Sequence, residues 1–207
     1  MAPSPPGAAD RYTPVAVALH WLMALGILAL AVIGLTMTRP SMPPGLMFKL
    51  YQLHKSIGIT VLLVAFLRLA WRLAHQPPAL PKTMPKIEQR ASSAAHAVLY
   101  AFLFGLPITG WALVSASVFN IPTVLYGVVP WPHLPVLSTL ADKAPVEAVL
   151  KRVHDYGAWA LLALIALHAA AALRHHLILR DDVLLRMMPA GGRPRPQSTT
   201  TAEPERS

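Results

Sequence analysis

The sequence predicts an all-α protein, a bundle of four transmembrane helices, and three observations carry that expectation. Of its 207 residues, 55% are apolar and only 13% are charged, against roughly 45–50% and 25% in soluble domains. A soluble chain of this composition would struggle to cover its surface with polar groups. The charges also fall in short clusters between long uncharged runs, as residues flanking membrane spans do. Four predominantly apolar segments reach the length of about 20 residues that a helix needs to cross a bilayer.

Taken in order, residues 1–10 are rich in Pro, Ala and Gly, and the chain closes with GGRPRPQSTTTAEPERS. Both ends, 1–10 and 190–207, read as disordered tails around an ordered 11–189 domain, because neither has apolar residues to bury. No basic region and small-residue cleavage site precede the first apolar run, which is expected as a retained helix rather than a signal peptide. The first span is Pro14 to Thr38, free of charge. The second is about Leu50 to Leu73, with Lys55 near one end and Arg68 and Arg72 near the other. Ala91 to Ala141 holds no Asp, Glu, Lys or Arg and is too long for one helix. The third span is placed at about Ser92 to Ser117, since Asn120, Pro122, Pro130, Pro132 and Pro135 oppose a helix beyond it. Pro107 inside that span is expected to kink it, with neighbours satisfying the freed carbonyl. The fourth span is about Val149 to Ile178. The linker from Val118 to Ala148 carries Tyr126, Trp131 and several prolines and is expected as a lid lying at the membrane interface. No repeat and no strand pattern competes with this reading, and the tryptophans are expected mostly as interface anchors.

Composition also excludes. With no cysteine there is no disulfide, thiolate zinc site, iron–sulfur cluster or covalently attached haem. Eighteen Lys and Arg against nine Asp and Glu give a net charge of +9, but the cations do not line one polar face, so no nucleic-acid partner is expected. If the N-terminus is inside, twelve cations (Arg11, Arg68, Arg72, Lys82, Lys86, Arg90, Arg174, Arg180, Arg186, Arg193, Arg195, Arg206) lie on that side and six (Arg39, Lys49, Lys55, Lys143, Lys151, Arg152) on the other. That bias predicts both termini on the cytoplasmic side.

An ionisable residue inside a spanning helix is costly and points to function. His20, His54, His96, His154 and His168 lie within or at the edge of spans. His154 and His168 are 14 residues apart, about 40° short of four full turns, so they share a helix face about 21 Å apart along the axis. The fourth helix runs from outside to inside, which sets His154 at an outer level and His168 deeper. His20 lies at the inner level of the first helix and His54 at the outer level of the second. The result is two level pairs, His20 with His168 and His54 with His154. Two imidazoles facing across a bundle can make the axial pair of a six-coordinate haem iron, so the bundle is expected to hold two stacked b-type haems. Singly, a histidine in a membrane helix commonly makes an interhelical hydrogen bond instead. Gly26, Gly34, Gly58, Gly105, Gly110 and Gly157 suit close approach of a flat macrocycle, or simply tight helix packing.

At these residues the sequence resembles the bacterial cytochrome b561 family of inner-membrane dihaem proteins. The carriers are RYTPVAVALHW (Arg11–Trp21), LHKSIG (Leu53–Gly58), AHAVLYAFLFGLPITG (Ala95–Gly110) and, most specifically, LHAAAALRHHLILRDDVLLRMMP (Leu167–Pro189). The resemblance implies iron ligation by His20 with His168 and by His54 with His154, in the inner membrane. Some members resemble a superoxide:ubiquinone oxidoreductase, which implies superoxide as donor and ubiquinone as acceptor. Lys151, Arg152 and Lys55 flank the outer pair and would draw an anion such as superoxide; equally, they could pair with haem propionates or lipid phosphates. Asp155 could orient His154. His96 could bond a propionate or a quinone carbonyl, replace His20 as ligand, or make an interhelical hydrogen bond. His175 and His176 are expected in headgroup contact, and His75 and His133 carry no signal. Two other functions compete: a haem-b subunit passing electrons from a periplasmic hydrogenase or dehydrogenase to quinone, and a non-redox transporter relaying protons or metal ions through histidines. The scarcity of intramembrane carboxylates disfavours the transporter. The sequence names no partner protein.

Overall fold

The computed structural model describes residues 11–80 and 84–189; the expected tails, 1–10 and 190–207, lie outside the described residues. Four long apolar helices are present: α1 Pro14–Met37, α2 Pro44–Ala74, α3 Lys86–Ser115 and α5 Ala144–Arg174, the last continuing to Leu179 as one π turn. Each is long and apolar enough to cross a membrane. Proline sets several of the starts. Pro14 and Pro44 open α1 and α2 and Pro145 lies in the first turn of α5, where an N–H is not needed. Thr13 caps α1 by accepting from the Ala16 N–H at 3.3 Å. α3 continues through Pro107 as one helix.

The helices pack in sequence, α1 along α2, α2 on α3 and α3 on α5. The compact core belongs to the first three: Met23, Val64, Ala65 and Leu103, with Leu19, Ile27, Tyr100 and Phe104 against it. At Gly26 a Cβ would sit 2.8 Å from Val61 Cγ2, so α1 and α2 approach as closely as only glycine allows. Around this core Leu25, Leu28, Leu67 and Trp159 are exposed, the surface that a hydrocarbon solvent would cover.

The linker corrects one expectation. It contains a hairpin, β1 Thr123–Leu125 and β2 Val129–Trp131, with Thr123 opposite Trp131 and Leu125 opposite Val129. Tyr126 and Gly127 make the turn with positive φ. A one-turn helix, α4 Pro135–Ser138, follows. The hairpin packs along α2. Pro122 O accepts from Gln52 Nε2 (2.9 Å) and Lys55 Nζ (3.2 Å), the Tyr126 N–H donates to Ser56 Oγ (2.9 Å) and its hydroxyl lies 2.7 Å from Thr60 Oγ1. Thr60 is about 9 Å along the helix from His54.

The C-terminal segment folds back over the end of α1. Arg11 donates to Leu185 O (3.1 Å) and Trp21 Nε1 to Met187 O (2.7 Å). Arg186 reaches Ala79 O (2.7 Å) and pairs with Asp182 (3.0 Å). His175, expected among headgroups, is instead bound to Asp181 at 2.5 Å. Trp21, Trp71 and Trp111 donate to Met187 O, Thr13 Oγ1 and Pro132 O and tie segments together, while Trp159 stays 60% exposed.

Candidate functional site

Two pairs of imidazoles face each other across the bundle. His20 of α1 and His168 of α5 have ring centres 6.4 Å apart, and His54 of α2 and His154 of α5 have theirs 6.3 Å apart. Rings within each pair are steeply inclined, by 67° and 75°. α5 packs chiefly on α3, so each pair spans helices that do not share a tight seam. A metal–imidazole nitrogen bond of about 2.0 Å, with roughly 1.1 Å from nitrogen to ring centre on each side, would set two imidazoles sharing one metal roughly 6.2 Å apart. Both pairs lie within about 0.2 Å of that spacing.

At the outer level the proton positions follow from chemistry. Thr109 Oγ1 donates to Leu106 O (2.8 Å), so its lone pair accepts from His154 Nδ1 (3.1 Å). Nδ1 therefore carries the proton and Nε2 keeps its lone pair, the state a metal-binding histidine needs. Asp155, proposed from sequence as the orienting partner, is exposed; Thr109, on a neighbouring helix, takes that position. The ring also lies against Gly110, where a Cβ would fall 3.0 Å from His154 Cε1. Gly34 serves His54 more loosely, at 3.4 Å. The other glycines singled out from sequence divide: Gly26 and Gly157 are helix contacts, while a Cβ at Gly58 or Gly105 would meet nothing.

At the inner level there are three imidazoles. His96 of α3 stands 5.5 Å from His168, too close for a shared axial arrangement, and its Nδ1 donates to Ser92 O (2.7 Å). His20 is flanked edge-on by Trp21 at 5.5 Å. Among the described residues no three His, Asp or Glu side chains gather closely enough to hold a bare metal ion. Paired imidazoles suit instead a metal that brings its own equatorial ligands, as a porphyrin iron does.

Of the three cations expected near the outer pair, Lys55 is half-buried and committed to Pro122 O (3.2 Å), whereas Lys151 and Arg152 are exposed. His133 sits in the same region with Nε2 buried. Burial pushes its imidazole below the ordinary value, with Lys55 adding to the effect.

A protein-family model described as prokaryotic cytochrome b561 matches residues 11–190. The chain belongs to the prokaryotic cytochrome b561 family. It is 34% identical over 180 residues to cytochrome b561 homolog 2 of Escherichia coli (strain K12), covering 86% of this chain and 92% of that relative. It is 30% identical over 184 residues to cytochrome b561 homolog 1 of the same strain (87% and 98%), and 33% identical over 182 residues to the probable superoxide oxidase CybB of Yersinia pestis (86% and 96%). As a cytochrome b561, the chain is a multi-pass membrane protein that carries b-type haem and moves electrons. The histidine pairs fit that group by spacing, by the Nε2 lone pair left at His154, and by the small residues beside the outer rings.

Proposed function

We propose that this cytochrome b561 moves electrons across a bacterial inner membrane through two b haems, the inner held by His20 and His168 and the outer by His54 and His154. The two imidazole pairs at 6.4 and 6.3 Å are the observation that carries the reading. Superoxide outside is the electron donor and ubiquinone the acceptor, a reading supported by the likeness to a relative named probable superoxide oxidase. The basic-residue bias puts both termini in the cytoplasm.

Bound b haem, which His20 with His168 and His54 with His154 would hold, would supply a one-electron couple. The chain's own residues do the rest. The Nδ1 bond to Thr109 fixes the His154 tautomer and ring plane. Exposed Lys151 and Arg152 on α5 raise the local concentration of an arriving anion. In sum, two superoxide ions give two dioxygen molecules, and the two electrons with two protons convert one ubiquinone to ubiquinol.

The test is a reduced-minus-oxidised spectrum with haem quantitation, followed by a superoxide-to-ubiquinone assay on the purified protein. Two haems per chain and quinol formation by the lone protein are expected. A colourless protein returns the transporter reading. Two haems without superoxide activity, together with a co-purifying dehydrogenase or hydrogenase, would establish the electron-transfer subunit instead.

A further inference from the structure

Arg68 and Arg72 lie one turn apart on α2 and so point the same way. Both line a small cavity with Tyr12, His75 and Tyr100. Arg68 donates from Nη1 to Ala16 O (3.3 Å), one turn before His20, and Arg72 lies over the Tyr100 ring at 5.6 Å. Arg68 is also within electrostatic reach of His20, His168 and His96. Its bond to Ala16 O holds the Arg68 guanidinium beside the turn of α1 that carries His20.

Among the described residues no Asp or Glu pairs with these two guanidinium groups, whereas Arg174 has Glu88 and Arg186 has Asp182. A guanidinium within a membrane helix is costly without an anion, and its planar fork matches a carboxylate better than any other partner but phosphate. A b haem carries two propionate carboxylates at its rim. We propose that Arg68 and Arg72 form the carboxylate clamp that holds the propionates of the inner haem and fixes its rotation about the His20–His168 axis. This rests on the proposed inner haem, and Arg68 is a positioning residue, since it touches the group's rim and not the iron.

The test uses the purified holoprotein and the variants Arg68→Gln, Arg68→Lys and Arg72→Gln. Resonance Raman reads the propionate bending bands, and transfer to excess apomyoglobin reads haem release. Arg68→Gln is expected to shift the inner-haem propionate band and speed release of that haem about 10-fold or more, in line with outer-shell partners elsewhere. Arg68→Lys keeps the charge without the fork and should fall between. The outer haem should not change. Should Arg68→Gln fail to fold, Arg72→Gln and Arg68→Lys report on the same band. Unmoved propionate bands overturn the clamp, as does equal acceleration of both haems. A phospholipid detected by phosphorus NMR in the wild type and missing from Arg68→Gln, with unmoved bands, assigns the arginines to a headgroup phosphate instead. A wild-type protein lacking the inner haem overturns the haem reading itself, and the clamp with it.

Discussion

Thr109 Oγ1 lies 3.1 Å from His154 Nδ1 while its own proton goes to Leu106 O at 2.8 Å, so a hydroxyl on α3 decides which nitrogen of an α5 imidazole is free. Replacing Thr109 with Val keeps the volume and removes the acceptor. An orphaned buried donor costs about 1–3 kcal/mol. The expected result is a changed low-spin electron paramagnetic resonance signal and a shifted midpoint potential for the outer haem only. Unaltered signals from both haems would mean that Thr109 is incidental.

The pairing itself is open to substitution. His20→Ala and His168→Ala should each leave one haem per chain, and the same one; His54→Ala and His154→Ala should each leave the other. His96→Ala should retain two, because its 5.5 Å separation from His168 is too short for the axial role. If His96→Ala loses a haem that His20→Ala retains, the inner pair has been assigned to the wrong helix.

Glycine offers an internal control on α3. A methyl at Gly110 would meet His154 Cε1 at 3.0 Å, while at Gly105 it would meet nothing. Gly110→Ala should lower outer-haem occupancy. Gly105→Ala should leave it intact and stabilise the helix by up to about 1 kcal/mol. Haem-to-protein ratio and thermal unfolding followed at the Soret band read both effects, and equal behaviour of the two variants would contradict the ring's position.

Charge at the outer surface has a rate consequence. Lys151 is exposed and, among the described residues, makes no ion pair. Lys151→Ala should slow superoxide oxidation without bleaching either haem, and the deficit should shrink as salt is raised, because screening at about 1 M salt confines such a field to about 3 Å. A deficit independent of ionic strength would argue against steering. Lys55→Ala should instead loosen the hairpin, since its ammonium is bonded to Pro122 O.

The spans could be read from sequence because uncharged runs of this length have few other uses, and histidine spacing on α5 carried the two-level arrangement because helical geometry is fixed. Contacts between segments left no such trace. Three-residue strands with Pro130 in one of them are too short to show alternation, so the hairpin passed as irregular linker. Asp155 looked like the partner of His154 because it is adjacent in sequence, yet adjacent residues on a helix face different ways, and the partner came from α3. His175 with Asp181 depends on the π turn and the left-handed Arg180, which no periodicity announces.

The apolar core built from Met23, Val64, Ala65 and Leu103 takes nothing from α5. α5 rests along α3 instead, so it faces α1 and α2 across the two imidazole pairs, and those pairs bridge the α3–α5 seam to the three-helix core.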